Sequence, residues 1–246
     1  LSAVEIPTLK FTLLNLQQEY TNLLGKQFTL TCTVSGTEVP LGTWTITDAK
    51  RDNDDLYEIT AEGLLGKFKK DVTEWWTQVQ TPITIRDLLI SLCDYVGVDY
   101  DLPEDFTNVA LNIGQKGVSG ESGAMTGIEM LGYIQEVVCA FFKMTRLRGN
   151  GKVLTMVRLQ DTGAVEEYNG TLMKSIEIAD YETTVIDQVQ VKGSASDVGA
   201  IVGEGTNAWT IEGNPLLYVF GAVELKQIAT TIFNEISGFK YRPVDL

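Results

Sequence analysis

The stretch TGIEMLGYIQEVVCAFFKMTRLRGNGKVLTMVRL, residues 126–159, carries the clearest structural pattern in the chain. Thr126 and Glu129 have the spacing of a capping box, in which the threonine hydroxyl accepts a hydrogen bond from the Glu129 amide and the carboxylate accepts one from the Thr126 amide. The apolar residues that follow recur at the spacing of one buried helix face: Leu131, Ile134, Val138 and Phe141, with Ile128 and Val137 beside them. The pattern predicts a helix that begins near residue 126.

Strand composition begins near Ala140 and predicts a hairpin after the helix. Residues 141–147 and 153–159 have the apolar and β-branched content of strands. Between them RGNG, residues 148–151, ends in the Asn-Gly pair that is typical of a type I′ turn. A helix that leads into a hairpin is a compact α+β unit.

The same order of signals occurs once before in the chain. Thr84 and Asp87 form another capping-box start, Gly97 is placed to end that helix, and residues 98–103 follow as a short strand. The apolar stripe of this earlier helix is Ile85, Leu88, Leu89, Leu92 and Val96. Residues 82–160 are therefore predicted to be one α/β unit with a repeated helix–strand pattern.

Strand patterns lie on both sides of this unit. Before it, four alternating segments predict a run of hairpins with strands 9–13, 27–34, 39–47 and 56–61. Residues 64–76 predict a short helix and connector. After it, the predicted strands are 170–178, 185–191 and 208–212. A last helix ends at Gly238 and has the stripe Val223, Leu225, Ile228, Ile232 and Ile236.

Composition excludes several classes of function. The 246 residues are 44% hydrophobic and 21% charged, an ordinary globular mixture, and no apolar run approaches the roughly 20 residues of a membrane span. A net charge of −14 argues against binding nucleic acid by neutralising its phosphates. The chain has no histidine, which removes histidine acid–base catalysis, Ser-His-Asp and Cys-His nucleophiles and histidine zinc sites.

The three cysteines do not form a recognisable site. Cys32, Cys93 and Cys139 are far apart, and each lies in an apolar pattern. They are predicted to be buried free thiols rather than disulfides or metal ligands.

Glycine recurs at every third residue from Gly114 to Gly123, which predicts a loop before the second helix. Such a loop can hold an anion, but a phosphate-binding loop ends in Gly-Lys-Ser/Thr, and here Ala124 follows Gly123. Ser119 and Ser122 lack the Gly-x-Ser-x-Gly spacing of a nucleophile elbow. The segment is predicted to be a mobile loop.

Four other patterns have simpler interpretations than a site. The acidic residues 52–55 lack the glycine and distal glutamate of a calcium loop, and the sequon at residues 169–171 has no secretory signal to support it. No catalytic carboxylate pair can be selected among 33 acidic residues. Trp75 and Trp76 are interpreted as anchors at a domain junction, with a ligand platform as the alternative. The sequence predicts no catalytic, cofactor-binding or metal-binding residue and no cofactor.

Five phrases in the chain resemble those of a known family. They are VPLGTWTITDAKRDNDDLYEITAEGLLGKF (39–68), DVTEWW (71–76), ITIRDLLISLCDYVG (83–97), the 126–159 stretch and GNPLLY (213–218). In this order, over residues 28–243, the chain resembles the baseplate-hub or tail-associated proteins at the tail tip of phages and prophages of Gram-positive bacteria.

The resemblance implies an α+β fold in which two small β-barrel-like domains flank an inserted α/β domain. Residues 1–80 would form the first β domain, residues 81–162 the insertion, and residues 163–246 the second β domain with its C-terminal helix. Leu1 in place of a methionine, and the ending at residues 241–246, indicate a piece of a longer protein, so we expect this last domain to be truncated.

The implied function is structural and not enzymatic. Three copies would form a ring that caps the tail tube of a virion, made in the bacterial cytoplasm from a phage or prophage gene. The expected partners are further copies of the chain and other tail proteins: the tail tube, the distal tail protein, the tape measure, and a fibre or lysin. No specific nucleic acid is expected, and the acidic balance would suit a channel through which DNA passes without binding.

Two other classes of function stay open. A carbohydrate- or cell-surface-binding module would use exposed aromatic side chains such as Trp75, Trp76 and Trp209. A peptidoglycan hydrolase is disfavoured because the chain lacks histidine and any nucleophile motif.

Overall fold

Four strands near the N-terminus form an antiparallel sheet. The computed structural model describes residues 4–14, 22–51, 56–80, 82–103, 112–113, 124–138, 140–147, 151–158, 181–182, 185–193, 199–218, 220–237 and 242–243. The strands are β1 (Thr8–Leu14), β2 (Gln27–Val34), β3 (Thr37–Arg51) and β4 (Leu56–Gly63). Their spatial order is β1-β4-β3-β2, so β1 and β2 are the edge strands.

This sheet is strongly curled toward its apolar face. Neighbouring strands lie about 4.8 Å apart, so the edges of a flat four-stranded sheet would be roughly 14 Å apart. The rings of Phe11 in β1 and Phe28 in β2 nevertheless pack edge to face with centroids 5.4 Å apart. The sheet is therefore a half-barrel, and Ile46, Ile59 and Ala61 are buried on its concave side.

Helices and a second sheet follow the half-barrel. A 3₁₀ helix (Leu64–Lys69) leads into α1 (Thr73–Gln78), β5 (Ile83–Thr84), α2 (Ile85–Val96), β6 (Asp99–Asp101) and β7 (Asn112–Ile113). Then come α3 (Gly127–Val138), β8 (Ala140–Leu147) and β9 (Gly151–Arg158). Strand β9 lies between the other two of its sheet, parallel to β6 and antiparallel to β8, and the short β5 pairs with β7.

The C-terminal part forms a third sheet that is covered by a helix. Its elements are β10 (Tyr181–Glu182), β11 (Gln188–Lys192), β12 (Gly199–Gly203), β13 (Ala208–Ile211), a 3₁₀ helix (Pro215–Leu217), α4 (Ala222–Ile236) and β14 (Arg242–Pro243). Strand β11 is central, antiparallel to β12 and parallel to β13, and α4 packs against this sheet. Strands β10 and β14 form a separate antiparallel pair.

One hydrophobic core joins the helices to the second and third sheets. Its largest fully buried side chains come from the first 3₁₀ helix, α2, α3 and β9: Phe68, Ile85, Leu88, Leu89, Leu92, Met130, Leu131, Ile134 and Leu154. Helix α4 contributes Leu225, Ile228, Ile232 and Ile236 to the same core. The half-barrel has its own small cluster beside it.

The N-terminus of α3 is tied to the connector that leaves the half-barrel. The Gly127 amide donates to the Lys70 carbonyl at 3.0 Å, and the Val72 amide donates to the Met125 carbonyl at 2.8 Å. A Cβ at position 127 would lie 2.8 Å from the Phe68 carbonyl oxygen, closer than real Cβ atoms approach backbone. Glycine is therefore required where the two segments cross.

The same connector caps the C-terminus of α2. The ammonium groups of Lys67 and Lys70 donate to the carbonyls of Gly97 and Tyr95, each at 2.9 Å. The Lys70 ammonium also lies 3.8 Å from the centroid of the Tyr95 ring. Cations are favourable there because the last carbonyls of a helix have no partner within it.

The GNPLLY segment is anchored to α3 by Asn214, which is fully buried. Its Nδ2 donates to the Tyr133 carbonyl at 3.0 Å and to the Glu136 carboxylate at 2.9 Å. Its Oδ1 accepts a hydrogen bond from the Leu216 amide at 3.0 Å. This side chain links the chain between β13 and α4 to the central helix.

The capping box at Thr126 is confirmed, and the helix start predicted at Thr84 is confirmed by its N-cap hydrogen bond. The Glu129 amide donates to the Thr126 hydroxyl at 3.3 Å, and the Thr126 amide donates to the Glu129 carboxylate at 2.7 Å. The Asp87 amide donates to the Thr84 hydroxyl at 3.0 Å, and Gly97 ends α2 with a φ of 72°. The predicted hairpin after α3 is present as β8 and β9.

Several details differ from the sequence predictions. Phe141 lies in β8 and not in the helix, which ends at Val138. Val223 is 70% exposed and is not part of the buried stripe of α4. Strand β12 was not predicted, because GAIVG is short and its partner β11 must be known before it can be recognised. The predicted strand 170–178, the turn residues 148–150 and Gly238 lie outside the described residues.

The mixed α/β character of the chain is confirmed, with a curled half-barrel sheet at its N-terminal end. The finer arrangement, two β-barrel-like domains around an insertion with boundaries after residues 80 and 162, stays a prediction.

We expect Gly127→Ala to lower the free energy of unfolding by about 2 kcal/mol, as overpacking against rigid backbone does. The matched control is Gly66→Ala, whose Cβ would meet the flexible end of Glu62 at 3.0 Å and should change stability by no more than about 0.5 kcal/mol. Urea unfolding followed by circular dichroism measures both. Equal stabilities of the two variants would contradict the close crossing of the connector and α3.

Candidate functional site

Three segments in which the sequence allowed a ligand site lie outside the described residues. They are the glycine loop 114–123, the acidic turn 52–55 and the sequon 169–171. Within the described ranges, no group of three or more His, Cys, Asp or Glu side chains is arranged to hold a metal ion. No helix in that part of the chain is long and apolar enough to cross a membrane.

Trp75 and Trp76 do not form a ligand platform. They are 6% and 3% exposed and belong to the main core, where the Trp75 indole donates to the Ser91 hydroxyl at 3.0 Å. Trp209 is half-buried against the same core. The exposed tryptophans on which the carbohydrate-binding alternative depended are therefore not found at these three positions.

The far half of the β2–β3 hairpin extends beyond the rest of the half-barrel. Strand β4 pairs with β3 from Trp44 onward, so among the described strands only β2 pairs with residues 37–41. Residues 31–41 are all exposed, on both faces of the two strands. Val34, Val39 and Leu41 are 47%, 42% and 54% exposed. We call residues 31–41 the arm.

A tight turn closes the arm and sets the direction of its peptide groups. Ser35 and Gly36 have φ values of 50° and 81°, the two left-handed residues of a type I′ turn. Such a turn places Val34 opposite Thr37 in a hydrogen-bonded pair, and hydrogen-bonded and non-hydrogen-bonded pairs alternate from there. Thr33 therefore directs its N–H and C=O away from β3, toward the free edge of β2.

The hairpin is nearly free of charge although the chain is acidic. Residues 27–47 contain a single charged residue, Glu38, whereas the whole chain has 19 basic and 33 acidic residues. Edge strands usually carry charges, prolines or bulges that prevent pairing with other chains. Strand β2 has no charged residue and no proline, and its register with β3 shifts once, between Leu30 and Thr31. It is an exposed edge that is able to pair.

Two of the cysteines lie in opposite environments. Cys32 is exposed on the arm, so the prediction that every cysteine is buried is wrong at this position, while Cys139 lies outside the described residues. Cys93 is buried in α2, and burial, with a smaller contribution from the charge of Asp94, raises the pKa of its thiol to about 12. The sequence did not distinguish the exposed Cys32 from the buried Cys93, because both residues lie in apolar patterns.

We expect iodoacetamide at pH 8 and low protein concentration to modify Cys32 and to leave Cys93 unmodified. The thiolate is the reactive form, and the raised pKa keeps the Cys93 thiol protonated at that pH. Peptide mass spectrometry of native and urea-unfolded protein measures both sites, and Cys93 should react after unfolding. Equal modification of the two in the native protein would contradict the structure.

Neither a protein-family model nor a curated protein matches the sequence. Among solved structures, the fold is similar to that of the 43 kDa tail protein of prophage MuSo2 from Shewanella oneidensis. The TM-score is 0.54 at 14% sequence identity, and the alignment covers 92% of this chain and 69% of that one. At this identity the likeness establishes the fold alone.

Two further tail proteins align less closely. A tail protein from Neisseria meningitidis MC58 and prophage tail protein gp18 from Listeria monocytogenes EGD-e each give a TM-score of 0.49, at 13% and 9% identity. They cover 91% and 84% of this chain. This chain spans 66% and 62% of their lengths, just under two thirds.

Proposed function

We propose that this chain is a structural subunit of a phage or prophage tail, positioned at the tail tip or baseplate hub. The observation that carries the proposal is the likeness of its fold, over 92% of the chain, to a prophage tail protein. The family resemblance of the sequence points to the same class independently of the coordinates. A Gram-positive host stays part of the proposal.

The open half-barrel supports a role in assembly. Within the described residues each edge strand of its sheet has a neighbour on one side alone, and most of its concave apolar side chains are covered only in part: Phe11, Leu13, Leu23, Phe28, Trp44, Ala49 and Tyr57. Partly covered apolar surface of this kind is typical of proteins that complete their burial against partners. In this proposal copies of the chain form a ring, expected to be a trimer, that caps the tail tube.

The proposed work is binding and not catalysis. The ring would dock the tail tube, the distal tail protein, the tape measure and a fibre or lysin. The absence of histidine from the sequence favours this over a peptidoglycan hydrolase. The acidic composition is compatible with a channel lining that does not retain DNA.

The test is immunogold electron microscopy of phage particles from the bacterium that carries the gene, with antibodies raised against this chain. The proposal predicts gold at the end of the tail distal to the capsid. Label on the capsid would contradict the proposal. So would intact tailed particles that carry no label and in which the antibody also fails to detect the chain after denaturation. Matched particles from a strain in which the gene is deleted serve as the control.

We also expect analytical ultracentrifugation to detect a species of three times the chain mass that grows with protein concentration. A ring of identical copies follows mass action, so dilution should shift the population toward the single chain. Dimers as the largest species at high concentration would contradict a trimeric ring.

A further inference from the structure

We propose that the arm is a subunit-joining element: strand β2 of one copy pairs, edge to edge, with strand β1 of a second copy of this chain. The inference rests on the proposed function, because a ring of copies needs a surface by which each copy holds the next. It goes further by naming the two strands that meet.

The first observation is that the arm has no support beyond its own two strands in the part of the chain that the structure describes. It consists of two strands with both faces exposed, and no third strand or helix among the described residues covers it. Two-stranded hairpins are at best marginally stable in water and need a third strand or a packed face. The arm also leaves apolar side chains in water, with Val34, Val39 and Leu41 all more than 40% exposed.

The second observation is the charge pattern. Copies of a chain with a net charge of −14 repel each other over most of their surfaces. Strand β2 has no charged residue, and β1 has one, Lys10. Neither edge strand itself therefore carries an acidic side chain that would repel a second copy. A single positive charge facing an acidic chain is not an obstacle.

The third observation is that the two edges match in pattern. In β1 the residues Leu9, Phe11 and Leu13 face the concave side and are half-buried, while Thr8 and Thr12 face outward and are exposed. Strand β2 repeats this alternation, with Phe28, Leu30, Cys32 and Val34 on the concave side and Gln27, Thr29, Thr31 and Thr33 on the outer side.

Joining β1 to β2 of another copy continues the apolar concave face of both strands, while the outward face combines threonines with Lys10 and Leu14 of β1. Strand β1 has seven residues and β2 has eight, so each strand can pair with the other over nearly its whole length. Within the described residues β1 pairs with β4 alone and β2 with β3 alone. Because the contact joins two different surfaces, it is heterologous and can close into a ring, whereas β2 pairing with β2 would stop at two copies.

Disulfide crosslinking to the native Cys32 tests which strands meet. We expect at least one of Leu9→Cys, Phe11→Cys and Leu13→Cys to give crosslinked oligomers larger than a dimer under mild oxidation, because these side chains share the concave side with Cys32. Thr12→Cys is the matched control and should not crosslink, since its Cβ points to the opposite face. Each crosslink should disappear when Cys32→Ser is added.

The pairing itself is tested by Thr33→Pro. Proline removes an N–H that points to the free edge, without removing a hydrogen bond to β3. We expect the concentration at which oligomers dissociate to rise about tenfold or more, with unchanged circular dichroism, because a buried carbonyl of the neighbour loses its donor. Thr33→Val keeps the N–H and the branched shape, and should assemble like the unmodified chain.

Three outcomes overturn the inference. They are oligomers that form with no crosslink at any of the three β1 positions, dimers linked through Cys32 in the unmodified chain, and a Thr33→Pro variant that assembles normally. Each of these leaves the tail-tip location untouched, since that is decided by the gold label. A missing tail label with intact β1–β2 crosslinking would instead refute the proposed function and keep the pairing.

Discussion

Helix α3 crosses the connector that leaves the half-barrel at a distance that only glycine allows. Gly127 allows the backbone of α3 to touch that of Phe68, and the hydrogen bond from Gly127 to Lys70 holds it there. Lys70 in turn caps α2 and lies over the Tyr95 ring. One short connector therefore positions both central helices and fixes where the half-barrel projects from the core.

The two hydrophobic clusters differ in how completely they are closed. The main core has three layers of helix and sheet around it, and its large side chains are almost fully buried. The half-barrel has four strands among the described residues, and its edge strands β1 and β2 do not pair with each other to close it. Curling brings Phe11 to Phe28, but among the described apolar side chains of this cluster only Ile46, Ile59 and Ala61 are buried. In our proposal a neighbouring copy of the chain completes this sheet.

Local features were predictable from the sequence, and contacts between distant residues were not. The helix starts at Thr84 and Thr126 and the end of α2 at Gly97 depend on side chains a few residues apart, so their spacing is sufficient. The parallel pairing of β11 with β13, and of β6 with β9, joins short strands whose partners no local pattern specifies. Cys32 shows the same limit. The alternation of β2 predicts that Cys32 lies on the apolar face, but it does not predict that this part of the face is exposed.

If copies of the chain join through the arm, its edge amides become protected on assembly, and hydrogen exchange measures this protection directly. Amide exchange of residues 27–41, followed by mass spectrometry, should be fast in the dilute single chain and slow in the isolated oligomer, because edge N–H groups become hydrogen-bonded to the neighbour. Peptides of α2, buried in both states, should exchange slowly and equally. Equally fast exchange of the arm in both states would show that the arm does not join copies of the chain.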